Sequence, residues 1–390
     1  MKLIAIGFGR CGGQIADAFA GLNKRARHHR GVEIFVDAFA VNSGKIDLTG
    51  LRNIKSDYNH RILMGGPKTR GHSTAKLSEL GAQIARDDSD KIVNALRVSK
   101  RFEDADAILM VAATGGGTGS GAMPVLAQHL KERYWSKPVY CMAILPFEHE
   151  EQAESRTVHN TALCLKSTYT ASDAVILVEN QRFHRKDSPL RHNTAQINAQ
   201  IVEPFYNLLC TSEERRTKRI GTKVLDAADI VETFEGWTAI GYGKTVLPTI
   251  RIPFLTSRNF RKRGANSNRG IQAMEQAISE MSVHCYPKDA AKALYLISAP
   301  SSEMNSYLTS DLSEYLRDLA PSAVIRAGDY PQERGVMDVV TVFSALSEVN
   351  KVKYYYVKAA SLIEKAQEKE EMRPKLSDTD KAADDLPSLL

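Results

Sequence analysis

Two glycine-rich turns and one pair of aspartates are the residues of this chain whose types and spacing could do chemistry. The first turn, Gly7-Phe8-Gly9-Arg10-Cys11-Gly12-Gly13-Gln14, lies between an apolar run and an amphipathic stretch. It matches G-x-G-x-x-G, in which bare backbone N–H groups approach a pyrophosphate at a helix N-terminus. A lone match also suits an ordinary tight turn. The second turn, Thr114-Gly115-Gly116-Gly117-Thr118-Gly119-Ser120-Gly121, follows another apolar run and opens another helix. Glycines at this density cost about 0.5 to 1 kcal/mol each against alanine in an ordered element, so something there requires bare backbone. A chain of phosphates meets that requirement, with Thr118 and Ser120 adding hydroxyl donors and the helix dipole adding positive charge. No lysine follows the glycines, so this is not a Walker A loop. Asp226 and Asp229, at i, i+3 spacing, place two carboxylates on one side of a helix start. On their own they read as acids favoured by the helix dipole.

The elements that must position these residues follow from periodicity. Apolar runs at 2–6, 35–41, 107–112, 139–145 and 174–178 alternate with amphipathic stretches, the pattern of a parallel α/β sheet covered on both faces. Ile15, Ala18, Phe19 and Leu22 share one helix face, as do Val125, Leu126 and Leu130. Glycine or polar residues follow nearly every strand, where such a sheet holds its ligand. From about residue 195 a helix with Ile197, Ile201, Phe205 and Leu208 on one stripe, kinked at Pro204, is expected to join two domains. A second α/β segment has strands near 237–242, 293–297, 323–326 and 339–343, and helices near 270–281 and 307–319. Between the first of these strands and the next helix, residues 258–269 carry Arg261, Lys262, Arg263 and Arg269 among Gly, Asn and Ser, and read as a mobile basic loop. From Glu364 the chain is charged and poor in large apolar residues, predicting a frayed helix end and a disordered tail.

Composition bounds the function classes. The 390 residues are 43% hydrophobic and 25% charged, ordinary for a globular protein. No apolar run reaches the roughly 18 residues of a membrane span and no signal peptide is recognisable, so a cytoplasmic location is expected. Cys11, Cys141, Cys164, Cys210 and Cys285 lie far apart without a zinc-like pairing, and no metal held by protein side chains alone is expected. The net charge of +6 comes from 52 Lys and Arg against 46 Asp and Glu, with no nucleic-acid-binding motif beside it, so no nucleic-acid partner is expected. Membrane contact is confined to a peripheral role for the basic loop.

At the two turns the chain resembles the tubulin/FtsZ family. Its GGGTGSG is similar to that family's signature, and GRCGGQIA resembles its first phosphate loop, especially the tubulin version. Val41-Asn42-Ser43, Thr69-Arg70-Gly71-His72, Pro146-Phe147, Asn180 and Asp226-Ala227-Ala228-Asp229 follow in family order. Gly71-His72, Glu79-Leu80-Gly81-Ala82 and Arg326-Ala327-Gly328-Asp329-Tyr330-Pro331 resemble archaeal CetZ more than FtsZ or tubulin. The resemblance covers residues 1–350.

It implies an α/β fold with a Rossmann-like, parallel-sheet GTP-binding domain (1–190) and a central core helix (191–212). A smaller C-terminal α/β activation domain (213–360) and a charged tail (361–390) complete it. It implies GTP or GDP with Mg²⁺ as cofactors, and a head-to-tail filament of the chain itself as partner, in archaeal cell shape or division. Gly9, Arg10, Cys11, Gly12, Gly13, Gln14 and Gly115, Gly116, Gly117, Thr118, Gly119, Ser120 would cradle phosphates. Asn42 joins the same nucleotide set, and Thr69, Arg70 and Gly71 lie near the γ-phosphate. Asn180 and Asn198 would face ribose and guanine, for which an amide offers both donor and acceptor. Glu150 would contact ribose. Asp226 and Asp229 would complete the site on the next subunit, orienting water for GTP hydrolysis.

Three positions depart from the pattern. Thr194 stands where an aromatic would stack on guanine, Val224 replaces an asparagine FtsZ has just before the first aspartate, and Glu154 replaces an arginine, with Arg156 nearby as a candidate substitute. A slow, assembly-dependent GTPase is the expectation. Two rivals stand beside it: an NAD-dependent oxidoreductase using Gly7, Gly9 and Gly12 with Glu33 or Asp37 on ribose, and a nucleotide-binding regulator that never polymerises. The first leaves GGGTGSG and the aspartate pair without a role.

Overall fold

The computed structural model describes residues 1–99, 101–183, 190–247, 259–333 and 335–371. Ten strands are formed: β1 (Leu3–Phe8), β2 (Phe35–Asn42), β3 (Arg61–Leu63), β4 (Ala107–Ala113), β5 (Val139–Leu145), β6 (Ala174–Glu179), β7 (Gly236–Val246), β8 (Ala290–Ala299), β9 (Val324–Pro331) and β10 (Val336–Leu346). They make one sheet in the order β3-β2-β1-β4-β5-β6-β7-β10-β8-β9. From β3 to β6 every pairing is parallel, and β7 joins parallel to β6 over Ala174–Ile176. β10 runs antiparallel to both β7 and β8, while β8 and β9 are parallel.

Strand residues alternate between two cores, as a period of 2 demands. In β4, Ala107, Leu109 and Val111 face the helices Gly9–Arg30 and Leu190–Thr211, while Ile108, Met110 and Ala112 face the helices Ser78–Asp87, Ser89–Val98 and Thr118–Arg133. Ile197, Ile201, Phe205 and Leu208 of the helix Leu190–Thr211 are buried against strands from both halves of the sheet, reaching Ile240, Leu296 and Val342. Asn207 fixes this helix to β10, its Nδ2 donating to Asp338 Oδ1 across 2.8 Å. On the far face the helices Asn259–Ser279, Ser306–Leu319 and Asn350–Glu371 cover the second half. Among the described residues no helix is long and apolar enough to cross a membrane.

The basic segment expected as a loop is helical from Asn259 onward, and Arg261, Lys262, Arg263 and Arg269 belong to the helix Asn259–Ser279. Arg258 lies outside the described residues. Gly264, Asn266, Ser267, Asn268 and Gly270 are weak helix formers, and tertiary packing overrides that preference. Asn266 is buried and its Nδ2 donates to Glu303 O across 3.2 Å. Bare Gly270 permits close approach to the next helix, since an added Cβ would lie 2.4 Å from Leu308 Cδ1. The helix Asn350–Glu371 continues past Glu364, and residues 372–390 lie outside the described residues.

Candidate functional site

The strand order reverses direction between β1 and β4, whose ends finish level with Phe8 opposite Ala112. Loops that leave such a pair diverge to opposite faces and open a crevice, the usual ligand position in α/β sheets. A cleft of about 1220 Å³ lies there, ample for a nucleotide. Helices Gly9–Arg30 and Thr118–Arg133 both start at it, each without a side-chain cap and without an acid in its first turn. Their first N–H groups are therefore available to an anion.

Glycine serves different ends at different positions. Gly9 adopts φ 69°, and an added Cβ there would lie 3.3 Å from Gly119 N. At Gly12 a Cβ would stand 2.1 Å from Val111 O, so this glycine seats the helix on the sheet. Gly117 packs on Thr74 and Leu77, and Gly121 on Ser78. Gly116 is different: an added Cβ would meet nothing within 4 Å. Backbone packing thus accounts for part of the glycine density attributed above to phosphate.

Of the residues expected at a nucleotide, Gly9, Arg10, Cys11, Gln14, Asn42, Gly115, Gly116, Gly117, Thr118, Gly119, Glu150, Asn180 and Asn198 line the cleft. Gly12, Gly13, Thr69, Arg70, Gly71 and Ser120 do not. Ser120 is buried and its Oγ donates to the carbonyls of Gly116 and Gly117, so its hydroxyl braces the turn instead of facing the cleft. Thr69 is buried, and Gly71 O accepts from Lys45 N across 3.1 Å, tying that loop to the helix Lys45–Thr49. Thr118 Oγ1 lies 2.9 Å from Ser43 Oγ and 3.2 Å from Thr74 Oγ1. Asn42 Nδ2 donates to Asp47 Oδ2, and Asp47 also lies 3.8 Å from Arg10 Nε.

Glu150 takes its place through the helix Glu148–Ala153, where its Oε2 accepts from Phe147 N across 2.9 Å. Its neighbour Glu151 is buried and accepts from Tyr355 OH at 2.5 Å and Tyr354 OH at 3.2 Å. Lys351 Nζ bridges Glu151 at 3.2 Å and Glu179 at 3.4 Å, so the C-terminal helix braces the turns that carry Glu150 and Asn180. Burial pushes the Cys11 thiol up to about 12, the Glu150 carboxylate adding to the effect, which leaves it a neutral group on the wall.

Lys76 and Asn160 are site residues that motif reasoning missed. Lys76 lines the cleft with φ 60°, directly after Ala75 at φ 47°, and non-glycine residues rarely adopt this conformation. Its Nζ lies 2.7 Å from Glu154 Oε2 and donates to Thr157 Oγ1 across 3.1 Å. Arg156, the expected substitute cation, is exposed and outside the cleft lining. Buried Asn160 donates to Lys76 O and Gly116 O, each across 2.9 Å, and accepts from Ser78 Oγ, locking the lysine turn to the glycine turn. Neither residue sits in a recognisable spacing; only the fold unites them.

Asp226 and Asp229 do not line the cleft. They cap the helix Ala227–Thr233 reciprocally, and Asp229 Oδ1 also accepts from Arg326 Nε across 3.2 Å. The first helix, whose 22 residues from Gly9 to Arg30 span about 33 Å, runs from the cleft toward β9. The Arg30 guanidinium at its end lies 4.9 Å from the Tyr330 ring centre, and Tyr330 is on β9, the strand whose Arg326 holds Asp229. The acids proposed for an NAD site are engaged elsewhere: Glu33 with Arg27 and Arg101, Asp37 with His60 and Ser99. Neither lines the cleft.

Comparison with known proteins agrees with this architecture. Residues 2–186 match the tubulin/FtsZ family GTPase domain, and residues 187–361 match the C-terminal domain of tubulin-like CetZ. The chain belongs to the tubulin/FtsZ family, in its CetZ branch. It is 29% identical over 344 residues to the tubulin-like protein CetZ1 of Haloferax volcanii, covering 85% of this chain and 84% of that one. The GDP-bound CetZ1 monomer of that organism superposes with a TM-score of 0.79 at 27% identity, over 93% of this chain and 99% of that chain. The GTPγS-bound protofilament of its CetZ2 gives 0.80 at 27% identity, over 94% and 100%. As a CetZ-branch member this chain has the tubulin/FtsZ fold, with its cleft lined mainly by the part matching the GTPase domain and completed by Thr194, Ala195, Ile197 and Asn198 of the helix Leu190–Thr211.

Proposed function

We propose that the chain binds GTP in the cleft, assembles head to tail into filaments in the cytoplasm, and hydrolyses GTP only across the subunit junction. The observation that carries this reading is the separation of the two chemical groups. The cleft holds two uncapped helix N-termini, while Asp226 and Asp229 line no part of it and sit with β9, the strand reached by the far end of the first helix, itself about 33 Å long. Groups held apart in this way in one chain act together only when one subunit's aspartate face meets the next one's cleft. Such a contact is heterologous, and repeated without closure it builds an open filament.

Within the cleft, the amides at Gly9, Arg10 and Cys11 and those at Gly116–Gly119 hold the phosphates, with Lys76 as the adjoining cation. Asn180 and Asn198 read the base, and Glu150 takes ribose. Thr118 and Asp47, both on the cleft wall, would hold a Mg²⁺ together with phosphate oxygens. When bound it would neutralise phosphate charge. The aspartates of the adjoining subunit polarise and orient the water. Related CetZ proteins carry GDP and GTPγS, the latter as a protofilament, which supports both the ligand and the assembly.

Sedimentation with GTP, GDP or no nucleotide, with phosphate release followed in the same samples, tests the reading. GTP-dependent pelleting is expected, with release per subunit rising as protein concentration rises. Release per subunit that stays constant with dilution, and without polymer, would show that hydrolysis is completed within one chain.

A further inference from the structure

The segment Arg326-Ala327-Gly328-Asp329-Tyr330-Pro331 forms most of β9, and nothing in the binding of a nucleotide uses it. β9 is the last strand of the sheet, so one side of its backbone has no strand partner. Residues 221–225, the approach to Asp226, lie along that free edge. Asp329 N donates to Lys223 O across 2.9 Å. The buried Asp329 carboxylate accepts from Thr222 N at 2.9 Å through Oδ2 and from Lys223 N at 2.5 Å through Oδ1. Both its oxygens are thus spent on one short stretch of backbone.

Two glycines permit this closeness. A Cβ on Gly221 would lie 2.0 Å from Asp329 O, and one on Gly328 would lie 2.5 Å from Leu225 Cγ. Leu225 is buried in the core between sheet and central helix, which sets the depth of the loop. Two residues beyond, Arg326 fixes the far end, with Nε on Asp229 Oδ1 at 3.2 Å and Nη2 on Glu232. The loop is therefore held at three points: its backbone by Asp329, its apolar anchor by Gly328 and its second acid by Arg326.

We propose that Asp329 and Arg326 are positioning residues for hydrolysis, setting where Asp226 and Asp229 are presented to the neighbouring subunit's nucleotide. This rests on the reading that those two aspartates act across the junction. Catalytic groups displaced by about 1 Å lose on the order of a hundredfold in rate, whereas binding in the cleft, which neither Asp329 nor Arg326 lines, is untouched. In Asp329→Asn one carboxylate oxygen becomes an NH₂ group facing a backbone N–H, so one of the two amide bonds is lost.

The test measures GTP turnover, affinity for GTPγS and amide hydrogen exchange in Asp329→Asn, Arg326→Ala and Arg326→Lys, beside Asp226→Ala. Expected are a turnover about tenfold to a hundredfold lower for Asp329→Asn, GTPγS affinity within about twofold of the parent, and faster exchange at Thr222 and Lys223. Arg326→Lys should retain more turnover than Arg326→Ala. Arg326 is a partly exposed surface residue, so its variants serve where Asp329→Asn does not fold. If these variants bind GTPγS and turn over GTP at the parent rate while Asp226→Ala is slow, the positioning role is overturned and the junction mechanism stands. If Asp226→Ala is also unaffected, the junction mechanism itself falls, and this proposal with it.

Discussion

Asp229 donates its backbone N–H to Asp226 Oδ1 across 2.8 Å, and Asp226 returns its own N–H to Asp229 Oδ2 across 3.3 Å. Each proposed catalytic acid is thus the cap of the other, and a substitution that removes charge also threatens the helix start. Asparagine separates the two effects, because it caps as well as aspartate. Asp226→Asn should melt at the parent temperature and still form filaments, with phosphate release down about a hundredfold to a thousandfold by analogy with a lost transition-state donor. Asp226→Ala should add a loss of about 1 kcal/mol from the missing cap. Thermal unfolding beside phosphate release checks this, and parent-like hydrolysis by Asp226→Asn would remove its charge from the mechanism.

Gly116 is the glycine of the second turn whose side-chain direction is open, so Gly116→Val places its methyls in the cleft and nowhere else. The variant should fold as the parent and purify without nucleotide, read by ultraviolet absorbance of the denatured extract. Gly12→Val makes the contrast. Its side chain would be driven into the backbone at Val111, and overpacking of this kind costs about 1 to 3 kcal/mol or more. Full nucleotide occupancy in folded Gly116→Val would show that this turn is not the phosphate cradle.

Lys76 combines a strained backbone with a cation at the glycine turn. Lys76→Gly relieves the left-handed conformation, worth about 1 kcal/mol, while removing the charge. Stability should rise and GTP affinity should fall, with the preference for GTP over GDP reduced about tenfold, since a charge at the terminal phosphate matters more to the nucleotide that has one. Titration calorimetry with both nucleotides decides; an unchanged ratio of affinities would place Lys76 away from that phosphate.

Much of this fold is legible in the sequence for a definite reason. The runs at β4, β5 and β6 are buried on both faces, so each is an apolar string, ended by Thr114, Pro146 and Glu179 in turn. β3 escapes notice because it has three residues and buries only Ile62 fully. The helical start of Asn259–Ser279 escapes for the opposite reason: its glycines and polar residues are explained by contacts with Leu308 and Glu303, which lie far along the chain. In the site, glycines and amides announce themselves by type and spacing. The Lys76–Glu154 pair does not, because 78 positions separate the partners and the strained turn that joins them has no local signature.

A pH dependence of stability should arise at the β2–β3 corner. His60 stacks on Phe39 with ring centres 5.0 Å apart, its Nε2 is 3.1 Å from Asp37 Oδ2 and its Nδ1 is 2.7 Å from Asp57 Oδ1. The hydrogen bond to Asp37 raises the His60 pKa above its ordinary value, against the effect of burial. Burial pushes the Asp37 carboxyl up, but His60, Ser99 and Lys55 outweigh it and hold it at about 2. A raised histidine pKa gives stabilisation that is complete below the unfolded value, about 6.5, and is lost as pH rises through the folded value. A depressed aspartate pKa gives stabilisation present above about 3.9 and lost as pH falls toward 2. The melting temperature should therefore decline as pH rises from about 6.5 through the raised histidine value, and His60→Gln should flatten that decline. An identical slope in parent and variant would assign the dependence elsewhere.

The sharpest consequence of a cleft and an acid pair held apart in one chain is complementation between two inactive variants. Gly116→Val carries an obstructed cleft and an intact aspartate face; Asp226→Asn carries the reverse. Alone, each has every junction defective, the first because no nucleotide is seated and the second because no charge meets it. Mixed, an Asp226→Asn subunit presents bound GTP to the complete face of a Gly116→Val subunit, and that junction is whole. With random head-to-tail assembly of equal amounts, about a quarter of junctions are of this kind, since orientation is fixed and only one of the four ordered pairings pairs both good surfaces. Phosphate release should therefore appear on mixing, vary as the product of the two concentrations and vanish on dilution below the assembly threshold. Release equal to the sum of the separate activities at every mixing ratio would mean that each chain completes its own site, with catalytic groups other than Asp226 and Asp229 at its own cleft.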